Sequence, residues 1–123
     1  MAANILIVED SSTQALRLKL VLEKAGLEVD IAQSGQDGLT QATTNLPRAV
    51  VLDVNLPDID GFHVCQQLKS QAATVDIPVI MLTVKDRATD TLSGLEAGAD
   101  AYIPKDDFAE TNLLQALRDL GIA

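Results

Sequence analysis

Three observations predict an α/β fold built on a doubly wound parallel sheet. Five short apolar runs alternate along the chain with five longer segments that carry helix signals. The strongest runs are continuously apolar, which marks strands covered on both faces. Successive runs are far enough apart for a crossover helix, and right-handed crossovers lay such helices on both faces of one sheet.

The first run, "NILIVE" (residues 4–9), is rich in β-branched residues and reads as a buried strand. "SSTQALRLKLVLEKAG" (11–26) follows, with Ser11 or Ser12 as N-cap and Gly26 as terminator. Its Leu16, Leu18, Leu20 and Leu22 alternate as in a strand, but the segment is too long for one and its Leu, Lys, Arg, Gln and Glu favour helix. "EVDIA" (28–32) is a weaker second strand, and "SGQDGLTQATTN" (34–45) a second helix. "RAVVLD" (48–53) is the third strand, leading into "DGFHVCQQLKSQAA" (60–73) as the third helix. "IPVIMLT" (77–83) and "DAYIP" (100–104) supply strands four and five, each followed by a helical segment, "DRATDTLSGLEAG" (86–98) and "DDFAETNLLQALRDL" (106–120). Gly94 lies inside the fourth helical segment, where glycine costs roughly 1 kcal/mol relative to alanine, so this segment is expected to open more easily than the first helix.

Length and composition set the function classes. A chain of 123 residues, 47% apolar, fits one domain over residues 1–123 with one core. No apolar run approaches the roughly 20 residues of a membrane span, and no basic segment with a cleavage site precedes the first strand, so a cytoplasmic protein without membrane insertion is expected. One cysteine, Cys65, and one histidine, His63, exclude an internal disulfide and a Cys/His zinc site. A net charge of −9 repels phosphate backbones and argues against direct nucleic-acid binding.

The commonest five-strand order for such a sheet is 2-1-3-4-5, the flavodoxin-like (βα)5 arrangement, with ligands outside the carboxyl ends of the strands near the switch between strands 1 and 3. Those ends carry Glu9 and Asp10, then Asp53 and Asn55, then Thr83, then Lys105; strand 2 ends in Ala32, Gln33 and Ser34. Three carboxylates at one edge repel one another unless some protonate or a cation is bound. Mg²⁺ fits, since it takes one or two carboxylates and keeps waters that a phosphoryl oxygen can replace. A carboxylate beside Mg²⁺, with a lysine and a hydroxyl around it, is equipped to attack phosphorus, and the buried third strand aims Asp53 for that purpose.

The acidic pair Glu9-Asp10, Asp53 in "LDVNLPDIDG", Thr83 in "IPVIMLTV" and Lys105 in "GADAYIPKDDF" resemble the receiver domain of two-component response regulators, the single-domain chemotaxis regulator among them. The resemblance covers essentially the whole chain. It implies that Asp53 accepts a phosphoryl group from a sensor histidine kinase or a histidine phosphotransfer protein. By the same resemblance, Asp10 and Asp53 ligate Mg²⁺ directly, Glu9 acts through water and Asn55 gives its backbone carbonyl. Lys105 pairs with Asp53 and then with the phosphoryl oxygens, Thr83 donates its hydroxyl, and Tyr102 turns inward behind it. The face formed by the fourth helix, fifth strand and fifth helix then changes to control a downstream protein or output domain. The chain so read is a phosphoacceptor that assists its own phosphorylation and dephosphorylation, not an enzyme acting on another substrate.

Departures from the family pattern carry their own expectations. Asp106 follows Lys105 where the family commonly has proline after a cis bond, so either that strain is supported or the loop differs. Thr91 and Ala101 stand where winged-helix regulators that dimerise usually carry lysine and aspartate, which argues against that dimer. Val84 replaces a smaller residue and is expected to crowd the approach of water and small donors and so lengthen the phosphorylated lifetime; if it does not, Asn55 and Lys85 are the side chains expected to set that lifetime. Only "GIA" follows Leu120, so a stand-alone receiver or one excised from a longer protein is expected.

Plainer readings stand beside these. Asp53 could be a capping aspartate, but Asp58 and Asp60 lie nearer the third helix and are expected to cap it. Thr83 could be a strand residue that ends polar, Lys105 a surface lysine and Tyr102 a half-buried ring with a wet hydroxyl. A haloacid-dehalogenase-like phosphatase would need Asp and Thr where Asn55 and Pro57 stand, and a flavin module would place phosphate against Glu9 and Asp10. A pseudo-receiver that only binds proteins is the remaining alternative, and the intact set Asp10, Asp53, Thr83 and Lys105 speaks against it.

Overall fold

The computed structural model describes residues 4–83 and 98–122. The elements in chain order are β1 (Asn4–Val8), α1 (Ser12–Lys24), β2 (Glu28–Ala32), α2 (Gly35–Asn45), β3 (Ala49–Asp53), α3 (Gly61–Lys69), β4 (Val79–Thr83), β5 (Ala101–Pro104) and α4 (Ala109–Asp119). The strands form one parallel sheet, as the alternation of runs implies, in the expected order β2-β1-β3-β4-β5. Most of the expected fourth helical segment, with Val84, Lys85, Thr91 and Gly94, lies outside the described residues.

Alternation along each strand divides the core into two layers. Ile5 and Ile7, Ala49 and Val51, Ile80 and Leu82, and Ile103 face one side, where Leu18 and Leu22 of α1 and Leu113 and Leu117 of α4 cover them. Leu6 and Val8, Val50 and Leu52, and Val79 and Met81 face the other, under Leu39 and Ala42 of α2 and Val64, Cys65 and Leu68 of α3. Burial of β1, β3 and β4 on both faces is why their sequences are apolar without interruption. The leucine series of α1 resolves as a helix stripe: Leu18 and Leu22, four apart, are buried while Leu16 and Leu20 are exposed.

Local chemistry sets the helix ends. Ser11 caps α1, its hydroxyl accepting from Gln14 N at 3.3 Å, and Gly26 follows with φ 89. Asp60 caps α3, accepting from Phe62 N at 2.7 Å. Asp58 takes no part in that cap and reaches back to the start of α2, accepting from Gly35 N at 2.8 Å and Gln36 N at 2.9 Å. The expected joint capping of the third helix is thereby corrected, because α2 and α3 begin at the same edge of the sheet and the β3–α3 loop passes over both.

Helix α3 ends at Lys69, short of the expected Ala73. The buried Thr74 hydroxyl donates to Leu68 O at 2.6 Å, and Lys69 Nζ donates to Ile77 O at 2.9 Å and pairs with Asp100 at 2.8 Å. These bonds fold the chain back toward β4 before another turn can form. Asp100 also accepts from Val79 N, so one carboxylate fixes the starts of β4 and β5.

Candidate functional site

All five strands run in one direction, so Val8, Ala32, Asp53, Thr83 and Pro104 end at one edge. Asp53 is the last residue of β3 and only 3% exposed, its carboxylate leaving the sheet on the side that carries Val51. Glu9, one residue past β1, is 2% exposed, and its backbone N–H donates to Ala32 O, which extends the β1–β2 pairing. Asp10 beside it is exposed. Oxygen atoms of Glu9, Asp10 and Asp53 all lie within 4.8 Å of one another, the convergence expected from the strand ends.

Lys105 enters from the loop after β5. Its backbone N–H donates to Thr83 O at 2.6 Å, which ties that loop to the end of β4. Its ammonium lies 2.8 Å from Glu9 Oε1, 3.1 Å from Asp53 Oδ1 and 3.0 Å from Gln14 Oε1 of α1. Three acceptors complete the three donors of the ammonium. Burial alone would lower the pKa of Lys105, but the hydrogen bond to Glu9 and the charge of Asp53 outweigh it and the net displacement is upward. The lysine therefore stays charged, yet among the described residues three carboxylates face one ammonium, which leaves an excess of negative charge.

Asn55 and Thr83 stand at the adjoining strand ends, and Tyr102 lies two residues before the end of β5. Asn55 N donates to Asp53 Oδ1 at 3.3 Å, on the same oxygen that Lys105 approaches. Thr83 is 1% exposed and lies one residue beyond Leu82, the register partner of Asp53. Tyr102 pairs in register with Met81 and packs on the α3 side, its hydroxyl buried without a hydrogen-bond partner among the described residues. No cis peptide bond occurs among the described residues, so the Lys105–Asp106 bond is trans and the loop differs from the cis form.

Two residues of the site escape sequence reasoning. Gln14 carries no signal beyond its place in the first turn of α1, yet it supplies the third acceptor for Lys105. Gly61 is signalled only by the dipeptide Asp60-Gly61. A Cβ there would collide with the Asp53 carbonyl oxygen and come within 2.8 Å of Val54 Cα. Only glycine lets α3 start this close to the end of β3, and Gly61 N closes the loop by donating to Val54 O at 2.9 Å.

The sequence pattern of the response regulator receiver domain matches residues 5–118. The chain belongs to this family. It is 41% identical over 120 residues to the response regulator MprA of Mycobacterium sp. (strain KMS), covering 98% of the chain and 51% of that protein. Against MprA of Mycobacterium tuberculosis (strain ATCC 25177 / H37Ra) the identity is 38% over the same length and shares. The chain spans about half the length of the curated relatives it matches. Among solved structures it resembles the signal receiver domain of a signal transduction histidine kinase from Syntrophus aciditrophicus, with TM-score 0.88 and 36% identity over 98% of this chain and 91% of that one. Chemotaxis protein CheY4 of Vibrio cholerae superposes with TM-score 0.89 at 28% identity, over 97% and 98% of the two chains. The receiver fold and its signalling class are thus established, and no helix among the described residues is long and apolar enough to cross a membrane.

Proposed function

We propose that this receiver domain, spanning residues 1–123, is a cytoplasmic switch of a two-component phosphorelay, phosphorylated on Asp53 by a sensor histidine kinase or a histidine phosphotransfer protein. The observation that carries the reading is the pairing of a 3% exposed Asp53 with Lys105 at 3.1 Å, beside Glu9 and Asp10 at the carboxyl edge of the sheet. Asn55 N and Lys105 both engage Oδ1, so Oδ2 is the attacking oxygen. It forms an O–P bond as the P–N bond of a phosphoimidazole breaks, and the bonding pair returns to the ring nitrogen. Lys105 then exchanges a carboxylate acceptor for a phosphoryl oxygen without leaving its place. Attack of water on the same phosphorus releases phosphate and restores Asp53.

The all-oxygen donor set, its close convergence and its net negative charge fit a hard divalent cation. Asp10 and Asp53 would hold Mg²⁺ directly, Glu9 through water, and Asn55 through its backbone carbonyl. Bound there, Mg²⁺ supplies positive charge to the phosphoryl oxygens. Thr83 donates its hydroxyl to the phosphoryl group, and Tyr102 occupies the space behind it. That change alters the face around β5 and α4 that a downstream protein or output domain reads. The domain turns over no substrate other than its own phosphoryl group.

The test is incubation with acetyl phosphate and Mg²⁺, followed by intact-mass measurement. One phosphoryl group is expected, removed by hydroxylamine and absent when Mg²⁺ is chelated. Asp10→Ala is expected to weaken Mg²⁺ binding in a titration. Wild-type protein that stays unlabelled, or labelling indifferent to Mg²⁺, would overturn the reading.

A further inference from the structure

The carboxylate of Asp58 accepts from two backbone donors of a different helix, Gly35 N at 2.8 Å to Oδ1 and Gln36 N at 2.9 Å to Oδ2. These are charge-assisted bonds at the positive end of α2. Those donors hold the Asp58 carboxyl below the usual carboxylate range, Gln36 foremost and then Gly35, so it is ionised at neutral pH. Helix α2 has no need of Asp58 for its own start: Ser34 is its N-cap, accepting from Asp37 N at 3.1 Å, and Asp37 places a negative charge in the first turn. The bond therefore acts mainly on the loop that Asp58 belongs to.

A second contact works in the same direction. Ile59 packs so closely on Gly35 that a Cβ at that position would collide with Ile59 Cγ1 and lie 3.0 Å from Ile59 Cδ1. Asp58 and Ile59 together seat the loop on the first residues of α2. The loop is also pinned at its base, where Val54 N donates to Leu82 O at 3.1 Å and Gly61 N to Val54 O at 2.9 Å. Between the base and the seat stand only Asn55, Leu56 and Pro57, the last with its φ fixed by its ring.

We infer that Asp58, with Gly35 beneath Ile59, is a positioning clamp that presets the Asn55 carbonyl for the cation and so tunes Mg²⁺ affinity from outside the ligand set. The inference rests on the proposed Mg²⁺ site. Outer partners that orient a ligand typically change metal affinity by about 10-fold to 100-fold when removed. The clamp acts through the backbone of an exposed loop, so the lower figure applies.

The experiment compares wild type, Asp58→Asn and Gly35→Ala. An asparagine carries one uncharged acceptor oxygen, so it cannot reproduce the grip of two carboxylate oxygens, one on each amide, and its N–H₂ meets an N–H where Oδ2 stood. In metal-free protein, amide hydrogen exchange at Gly35 and Gln36 is expected to quicken in Asp58→Asn, while the amides of β1 and β3 keep their protection. Mg²⁺ titration is expected to show about tenfold weaker binding, equivalent to about 1.4 kcal/mol. The phosphorylation rate is expected to return to the wild-type value once Mg²⁺ is saturating, a split that general loss of structure would not produce. Gly35→Ala keeps the carboxylate but displaces Ile59, and a loss of Mg²⁺ affinity in the same direction is expected there. Unchanged Mg²⁺ affinity in both variants, with wild type binding Mg²⁺ and taking a phosphoryl group, would overturn the clamp alone. A wild type that neither binds Mg²⁺ nor is labelled would instead bring down the function on which the clamp rests.

Discussion

Replacing Lys105 by methionine keeps much of the side-chain volume and deletes an ammonium that faces two deeply buried carboxylates. The lysine nitrogen stands 2.8 Å from Glu9 Oε1 and 3.1 Å from Asp53 Oδ1, with side-chain exposures of 19% for the lysine and 3% and 4% for the acids. At an effective dielectric constant of about 20 those separations correspond to gross attractions of roughly 6 and 5 kcal/mol. Desolvation of all three groups offsets much of this, and breaking a buried pair from one side typically costs about 3–5 kcal/mol. That is the expected loss of unfolding free energy for Lys105→Met at neutral pH without metal, read from urea denaturation. The loss has one further signature. Mg²⁺ at a hundredfold excess over its Kd returns about 2.7 kcal/mol by binding only the folded state. A variant within about 0.5 kcal/mol of wild type both without and with Mg²⁺, the range of an ordinary surface change, would refute the view that Lys105 neutralises this cluster.

Other perturbations follow from individual contacts. Gly61→Ala pushes a Cβ into the Asp53 carbonyl, so unfolding free energy should fall by about 1–3 kcal/mol and the phosphorylation rate by about 100-fold, through displacement of the nucleophile; a wild-type rate would contradict the close packing of α3 on β3. Burial pushes the Cys65 thiol up to about 11. The folded state thus retains a proton that the unfolded chain releases near pH 8.5, so stability is complete below that value and declines as the pH rises toward 11. Alkylation of Cys65 at pH 8 should be negligible in native protein and complete in denaturant; rapid native labelling would sink the argument. Leu46 ends α2 at φ 47, a left-handed conformation that costs a residue with a side chain about 1–2 kcal/mol, so Leu46→Gly should raise the melting temperature despite the added freedom of the unfolded chain. A lower melting temperature would show that the exposed leucine contributes packing that outweighs the strain.

The buried parallel strands were legible because burial on both faces leaves an uninterrupted apolar signature, and "AVVLD" and "VIMLT" carry it without a break. The site was legible for a related reason: a carboxylate at the end of such a run, as at Asp53, has no place in the core and must emerge at the edge. The pairing of Lys105 with Asp53, implied by the family resemblance, is present at 3.1 Å. The shorter contact of Lys105 with Glu9, 2.8 Å across 96 residues of sequence, was not legible. Asp58 illustrates the same limit. Proximity in sequence pointed it at α3, but the loop geometry delivers it to α2, 23 residues upstream. The end of α3 was misplaced because Ser70, Gln71 and Ala72 do not forbid helix, and the bonds that stop it come from Thr74 and Ile77 further on.

The central claim is that Asp53, among the many carboxylates of an acidic chain, is the phosphoacceptor. Borohydride reduces an aspartyl phosphate to homoserine, so peptide mapping after phosphorylation, reduction and digestion reads the site directly. Homoserine at position 53 alone is the predicted result, with none in Asp53→Asn protein treated in parallel. Homoserine at Asp10, Asp58 or Asp60 in place of 53, or its persistence in the Asp53→Asn protein, would contradict the account.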